Sequence, residues 1–320
     1  MSIDGGPPGT SWYRRLLSSA YVRDGALMTV ANALAGGLFL ATHMAVGRQL
    51  DGVDYSLLIA LLGLLSVLGV PQATMQIVVA RFAAEPPAEG NDPAQAASAA
   101  WVRLLRGAVR QVHRLGSMAL VIWILCLPWS RGLVPGASAV DLVLIALVAW
   151  IGLYSPIFSG ALQGRHRFLW LAASGAGGAL ARLLLAAAAA VLFGRVDVVL
   201  IAWVASYAVS VLVAAWPLRT ELAAREDPKP DAGQTGESGP QAAFADPRLG
   251  RYGAWVLAGQ FIFFGLLNAD LILAPRLLAD DDLAVYGKVA MLCRSVLFLP
   301  VPVVLAMFPR AVASTSRRVL

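Results

Sequence analysis

Apolar residues along this chain gather in eight long runs, separated by short segments rich in Arg, Gly and Pro. The runs cover residues 26–46, 55–79, 115–133, 142–162, 168–193, 198–217, 254–274 and 284–307. Each approaches the ~20 residues that a helix needs to cross the hydrocarbon core of a bilayer. Ala, Leu and Val follow one another without the alternation of a barrel strand, so the runs predict helices. The third run is the weakest, because Pro128 and Arg131 interrupt its end. The pattern predicts an all-α, polytopic transmembrane helix bundle of about eight spans.

The segments between the runs divide the chain further. Residues 1–24 form an N-terminal tail, Gly/Pro-rich over Met1–Thr10, and residues 25–220 hold six runs that make a first lobe. Residues 221–249, rich in Pro, Gly, Asp and Glu, read as a flexible linker. Residues 250–320 hold two more runs, a partial second lobe. Inside the first lobe, residues 85–114 place Trp101, Leu104, Leu105 and Ala108 on one helical face and Arg103, Arg106 and Arg110 elsewhere. That spacing predicts either an amphipathic helix on the membrane surface or a charged connector.

The last two runs repeat the first two. Arg48, Tyr55, Pro71 and Arg81 recur in order as Arg276, Tyr286, Pro302 and Arg310, with Tyr and Pro sixteen residues apart in both copies. Two similar halves are the usual build of a transporter that opens alternately to either face.

Charge orients the bundle. With the N-terminus inside, the inner segments hold eighteen Lys and Arg, and the outer ones hold Arg48, Arg131, Arg195 and Arg276. The bias predicts a multi-pass membrane protein with both termini cytoplasmic. The net charge of +6 is read as this topology signal, and no nucleic-acid partner is expected. Hydrophobic residues make up 58% of the chain and charged ones 14%, against about 45–50% and about 25% in soluble domains.

No catalytic constellation stands out, so no enzyme and no cofactor are expected. His43, His113 and His166 are scattered, Cys126 and Cys293 sit alone in apolar runs, and no phosphate loop is present. The informative residues are charges inside runs, since a bare charge near mid-bilayer costs roughly 2.5–3.5 kcal/mol. Arg182 lies fourteen residues into the fifth run and Arg294 ten residues into the eighth. Both would reach mid-depth and form a basic site for a phosphate or diphosphate, or each would pair structurally. Asp270 and Lys288, each near the outer end of its run, are expected to form an ion pair between helices, structural or coupling. Asn32, Gln72, Gln76, Gln260 and Asn268 are candidates to line a polar cavity, with Arg48 a further basic contact. Pro71, Pro156, Pro300 and Pro302 predict bends. Gly160, Gly164, Gly175, Gly177 and Gly178 predict close helix contacts.

At Gly160-Ala161-Leu162-Gln163-Gly164, with Phe168 and Arg182-Leu183-Leu184 following, the chain resembles the polysaccharide flippases. These are the Wzx-type O-antigen and exopolysaccharide exporters, of the superfamily that includes multidrug-extrusion transporters. Asn32, Gly37, Gly47-Arg48 and Tyr55 stand in a similar order, as do Asn268, Asp270, Tyr286-Gly287 and Phe308-Pro309-Arg310. The resemblance implies two six-helix lobes around a central cavity, and a lipid-linked glycan such as a polyprenyl-diphosphate oligosaccharide as substrate. It implies membrane lipids and a glycan polymerase or glycosyltransferase complex as partners. Arg182 and Asp270 match positions where such proteins carry intramembrane charge. Two alternatives stay open: a multidrug or small-molecule exporter of the same fold, and a truncated, non-transporting scaffold. The family pattern calls for roughly four more helices after the eighth run, so the second lobe is expected to be incomplete.

Overall fold

A computed structural model describes residues 20–84, 93–130, 132, 134–223 and 247–295. The described residues are helical and contain no strand. In order, the main helices are α1 Ala20–Gln49, α2 Gly52–Leu68, α3 Val70–Ala84, α4 Pro93–Leu125, α5 Ala139–Gly152, α6 Tyr154–Gly164, α7 Phe168–Phe193, α8 Val196–Ala215, α9 Pro247–Leu277 and α10 Asp280–Ser295. Six helical stretches among the described residues are long and apolar enough to cross a membrane, and α2–α3 and α5–α6 each count as one. The run at 115–133 is not one of them, and half of the eighth run lies outside the described residues.

Two spans bend where the sequence places proline. α2 ends at Leu68, Gly69 turns, and Pro71 sits in the first turn of α3. α5 ends at Gly152, and Pro156 sits in the first turn of α6. A first turn tolerates proline because its N–H would have no partner there anyway. The bends touch: the Gln72 side-chain amide donates to the Ala149 carbonyl at 3.0 Å. Gly152 makes room, since a methyl there would stand 2.6 Å from Gln72 Nε2.

Below the bends α3 and α6 run in close contact. A methyl on Gly160 would stand 2.7 Å from the Gln76 carbonyl oxygen, and one on Gly164 would overlap Ala83. Gly178 serves α7 and α8 in the same way, facing the Ser210 Cβ at 2.8 Å. Gly175 and Gly177 meet nothing within 4 Å, so the close contact expected of them is not made.

The core divides in two. Tyr55, Leu58, Leu142, Leu200 and Trp203 belong to one buried cluster. Trp101, Leu105, Phe158, Leu162, Phe168 and Leu218 belong to the other. α4 therefore seats the apolar face of its first half, with Trp101, Leu105, Ala108 and Val112 buried, on the bundle rather than on lipid. The same helix continues into the third run, so the surface segment and the span are one element.

Glu221 also departs from expectation. It falls in the predicted linker, yet its carboxylate binds Arg165 at 2.7 Å and Arg167 at 2.9 Å and accepts the Trp101 indole N–H at 2.7 Å. Glu221 thus closes the first lobe from the middle of a short helix, Arg219–Ala223. The rest of the predicted linker, residues 224–246, lies outside the described residues.

The described parts of the two repeat copies follow the same order. α1 ends just past Arg48 and α9 just past Arg276, and Tyr55 and Tyr286 both lie early in the following helix. α10 lies on α2, where a methyl on Gly287 would stand 2.8 Å from Ile59 Cγ1. Pro302 and Arg310, which complete the second copy, lie outside the described residues.

Candidate functional site

Arg182 sits near the middle of α7, fourteen residues after its first residue. Its guanidinium lies 4.9 Å from the Tyr207 ring centre and 5.7 Å from that of Trp203, both on α8. Its Nε donates to the Ser206 hydroxyl at 3.4 Å, and Ser206 donates onward to the Trp203 carbonyl at 2.7 Å. Aromatic faces offset part of the cost of a cation at this depth and leave hydrogen-bonding positions on the guanidinium open to a guest.

Arg182 faces a cavity of about 390 Å³ between the first lobe and α9. Gln72, Gln76 and Asn268 share its wall with Arg182, as do Phe39 and Phe264. No carboxylate stands among the described lining residues. Asn268 is buried and donates to the Phe264 carbonyl at 2.9 Å, which leaves its side-chain oxygen as an acceptor. Gln76 donates to the Gln163 side-chain oxygen at 3.3 Å. Gln163 belongs to the Leu162-Gln163-Gly164 stretch, so that motif supports the cavity wall from behind.

The structure thus brings together Arg182, Gln72, Gln76 and Asn268 from the sequence candidates. Asn32 on α1 and Gln260 on α9 are half-buried and stand outside the described lining. Arg48 is exposed at the end of α1. The side chain of Arg294 lies outside the described residues.

The expected Asp270–Lys288 pair takes another form. Asp270 accepts the Tyr286 hydroxyl at 2.7 Å, while the Lys288 ammonium lies 5.4 Å from the Tyr55 ring centre. Helix rotation explains the difference: on α10 a position two residues from Tyr286 turns ~200° away from it. Tyr286 and Lys288 therefore meet different neighbours here.

His43 escaped sequence reasoning. It is buried on α1, with its ring 4.6 Å from Phe39 and 6.1 Å from Trp203. Neither ring nitrogen has a hydrogen-bond partner among the described residues. A histidine inside an apolar run was the available signal, and nothing beside it in sequence marked it out.

No known protein family matches the sequence, and no curated protein matches it. Two solved structures share its architecture. The eukaryotic MATE transporter AtDTX14 aligns over 92% of this chain with a TM-score of 0.62 at 14% identity. A MOP superfamily transporter from Pyrococcus furiosus aligns over 92% with a TM-score of 0.53 at 15% identity. The chain has the fold of these transporters. It spans 66% of the length of the first and 70% of the second. The likeness assigns a polytopic α-helical membrane fold, and the cavity lies between the first lobe and α9.

Proposed function

We propose that this protein is a flippase that moves a polyprenyl-diphosphate-linked oligosaccharide across a bacterial inner membrane by alternating access. The observation that carries the reading is the chemistry of the cavity. Its described wall holds one cation, Arg182, three side-chain amides and several aromatic rings, without an acid. A diphosphate takes the bidentate grip that a guanidinium offers. Sugar hydroxyls suit the amides of Gln72, Gln76 and Asn268, and sugar faces suit aromatic rings. Placement near the middle of a span is where alternating-access proteins hold their substrates. Glycan-synthesis enzymes are the partners that this substrate calls for.

A second reading, a multidrug exporter, rests on the likeness to the eukaryotic MATE transporter. A basic wall without a carboxylate favours an anionic guest over a cationic drug. The Pyrococcus furiosus protein is described as having a binding pocket of reversed polarity that suggests a different function. Variation of pocket charge within this fold is in keeping with the reading here.

The test is transfer of a fluorescent polyprenyl-diphosphate oligosaccharide between the leaflets of liposomes that contain the purified protein. Movement above protein-free liposomes, lost in Arg182→Ala, is the expected result. Proton-driven dye efflux without glycan-lipid movement would replace the proposal with the exporter reading.

A further inference from the structure

α4 carries two opposed stripes. Trp101, Leu105, Ala108 and Val112 are buried against the bundle, while Arg103, Arg110 and Arg114 are exposed on the other side. At ~100° per residue the three arginines fall within about 40° of one another and climb about 17 Å along the axis. Neighbouring contacts fix their height. Trp101 binds Glu221 beside Arg165, just past the end of α6, and His113 Nδ1 lies 2.8 Å from the hydroxyl of Tyr154, the first residue of α6. The stripe therefore runs beside the α6 half of the span Ala139–Gly164, not beyond its end. Past Arg114 the same outer side becomes apolar, with Met118, Val121, Ile122 and Leu125 exposed.

An apolar cleft of about 380 Å³ opens on the bundle side of α4, with Gln111 and Leu115 as its rim nearest the stripe. It lies between α4, α5 and the bend at Gly69, with Leu68, Pro71, Met75, Leu115 and Trp150 in its wall. Gln111, also in the wall, stands within a turn of the Arg114 position. The Trp150 indole N–H is buried there without a partner among the described residues.

Guanidiniums on the outer surface of a span are not left bare against acyl chains; they reach for headgroup phosphates. Three in line at one edge, next to a chain-sized apolar cleft, match a molecule that carries a net negative headgroup and a hydrocarbon tail. We propose that this edge binds one anionic diacyl phospholipid, of the leaflet that the Arg165 end of the bundle faces. The charge of the Arg103–Arg110–Arg114 stripe draws its headgroup, whose phosphate meets one or two of these arginines, and one acyl chain crosses the Gln111–Leu115 rim into the cleft. A zwitterionic lipid offers the same tail but no net charge for the stripe, so the site selects by headgroup charge. The assignment is independent of what the central cavity carries.

Native mass spectrometry of the purified full chain, with phosphatidylglycerol or phosphatidylcholine added, tests the site. One phosphatidylglycerol is expected to stay bound, with a preference over phosphatidylcholine of roughly tenfold or more from three nearby basic residues. The variant Arg103→Gln/Arg110→Gln/Arg114→Gln abolishes the preference. Ala119→Trp, which fills the cleft and leaves the charge intact, lowers retention of phosphatidylglycerol. The double variant Arg251→Gln/Arg276→Gln, which removes charge elsewhere, retains the lipid. If the triple variant does not fold, a salt series on the unmodified protein replaces it: phosphatidylglycerol retention falls as salt rises and phosphatidylcholine retention does not. Equal retention of the two lipids, undiminished binding in a folded triple variant or in Ala119→Trp, or absence of salt dependence overturns the proposal. Retention of a polyprenyl phosphate in preference to phosphatidylglycerol overturns it as well and assigns the cleft to an isoprenoid chain.

Discussion

The Arg182 guanidinium stands 4.9 Å from the centre of the Tyr207 ring, one helix away. The pair puts a fixed positive charge on the wall of the central cavity at mid-span. A charge-assisted hydrogen bond contributes about 1.5–3 kcal/mol, or roughly 10- to 150-fold in an equilibrium. Arg182→Ala is expected to lower glycan-lipid transfer in liposomes by at least tenfold with little change in thermal unfolding. Arg182→Lys restores part of it, because an ammonium keeps the charge and loses the bidentate fork. Unchanged transfer in a folded Arg182→Ala protein would remove this residue from the site.

Glu221 holds three donors from two other parts of the chain. Glu221→Gln removes the charge that balances Arg165 and Arg167, which are about a third exposed and so partly screened. A loss of about 1–2 kcal/mol is expected. It would be read as a lower unfolding temperature in detergent, along with earlier proteolysis after Arg165 or Arg167. An unfolding temperature equal to that of the parent would show that the Trp101 contact alone closes the lobe.

The glycines separate into two kinds. Gly160→Val drives a branched side chain into the Gln76 carbonyl and the Val79 side chain, and is expected to cost several kcal/mol or to prevent folding. Gly177→Ala, with open space around it in the same kind of helix, is expected to stabilise by about 0.5–1 kcal/mol. Thermal unfolding of the two variants gives opposite signs. Equal effects would mean that helix propensity, not contact, decides both.

Asp270 is coupled to Tyr286. A double-mutant cycle of Asp270→Asn and Tyr286→Phe is expected to give a coupling of about 0.5–1.5 kcal/mol in unfolding free energy. A cycle of Asp270→Asn with Lys288→Gln is expected to be additive. The reverse result would restore the ion pair that the sequence suggested.

What the sequence revealed follows the physics that is local to it. Spans are legible because a bilayer demands long apolar runs, and bends are legible because Pro71 and Pro156 cannot continue a helix. Arg182 is legible because one charge in such a run needs a reason. The partners are less so. Whether Asp270 meets Tyr286 or Lys288 depends on the rotation of two helices, which run length does not encode. Glu221 looked like linker because its neighbours are polar, and its three partners are 56, 54 and 120 residues away in sequence. His43, whose ring meets Phe39 and Trp203, and Gln163, which holds Gln76, were missed for the same reason: their contacts exist only once α1, α3, α6 and α8 are packed.

The bend at Gly69 has one wall and two sides. Gly69, Gln72 and Gln76 look into the polar cavity, while Leu68, Pro71 and Met75 look into the apolar cleft. Gln72 pins that wall to the matching bend in the neighbouring span. A shift of the wall would enlarge one space at the expense of the other, so the two guests proposed above would compete for the same partition without ever touching. Under the two proposals lipid composition would then act as ballast: a membrane that fills the cleft would bias the cavity before any substrate arrives.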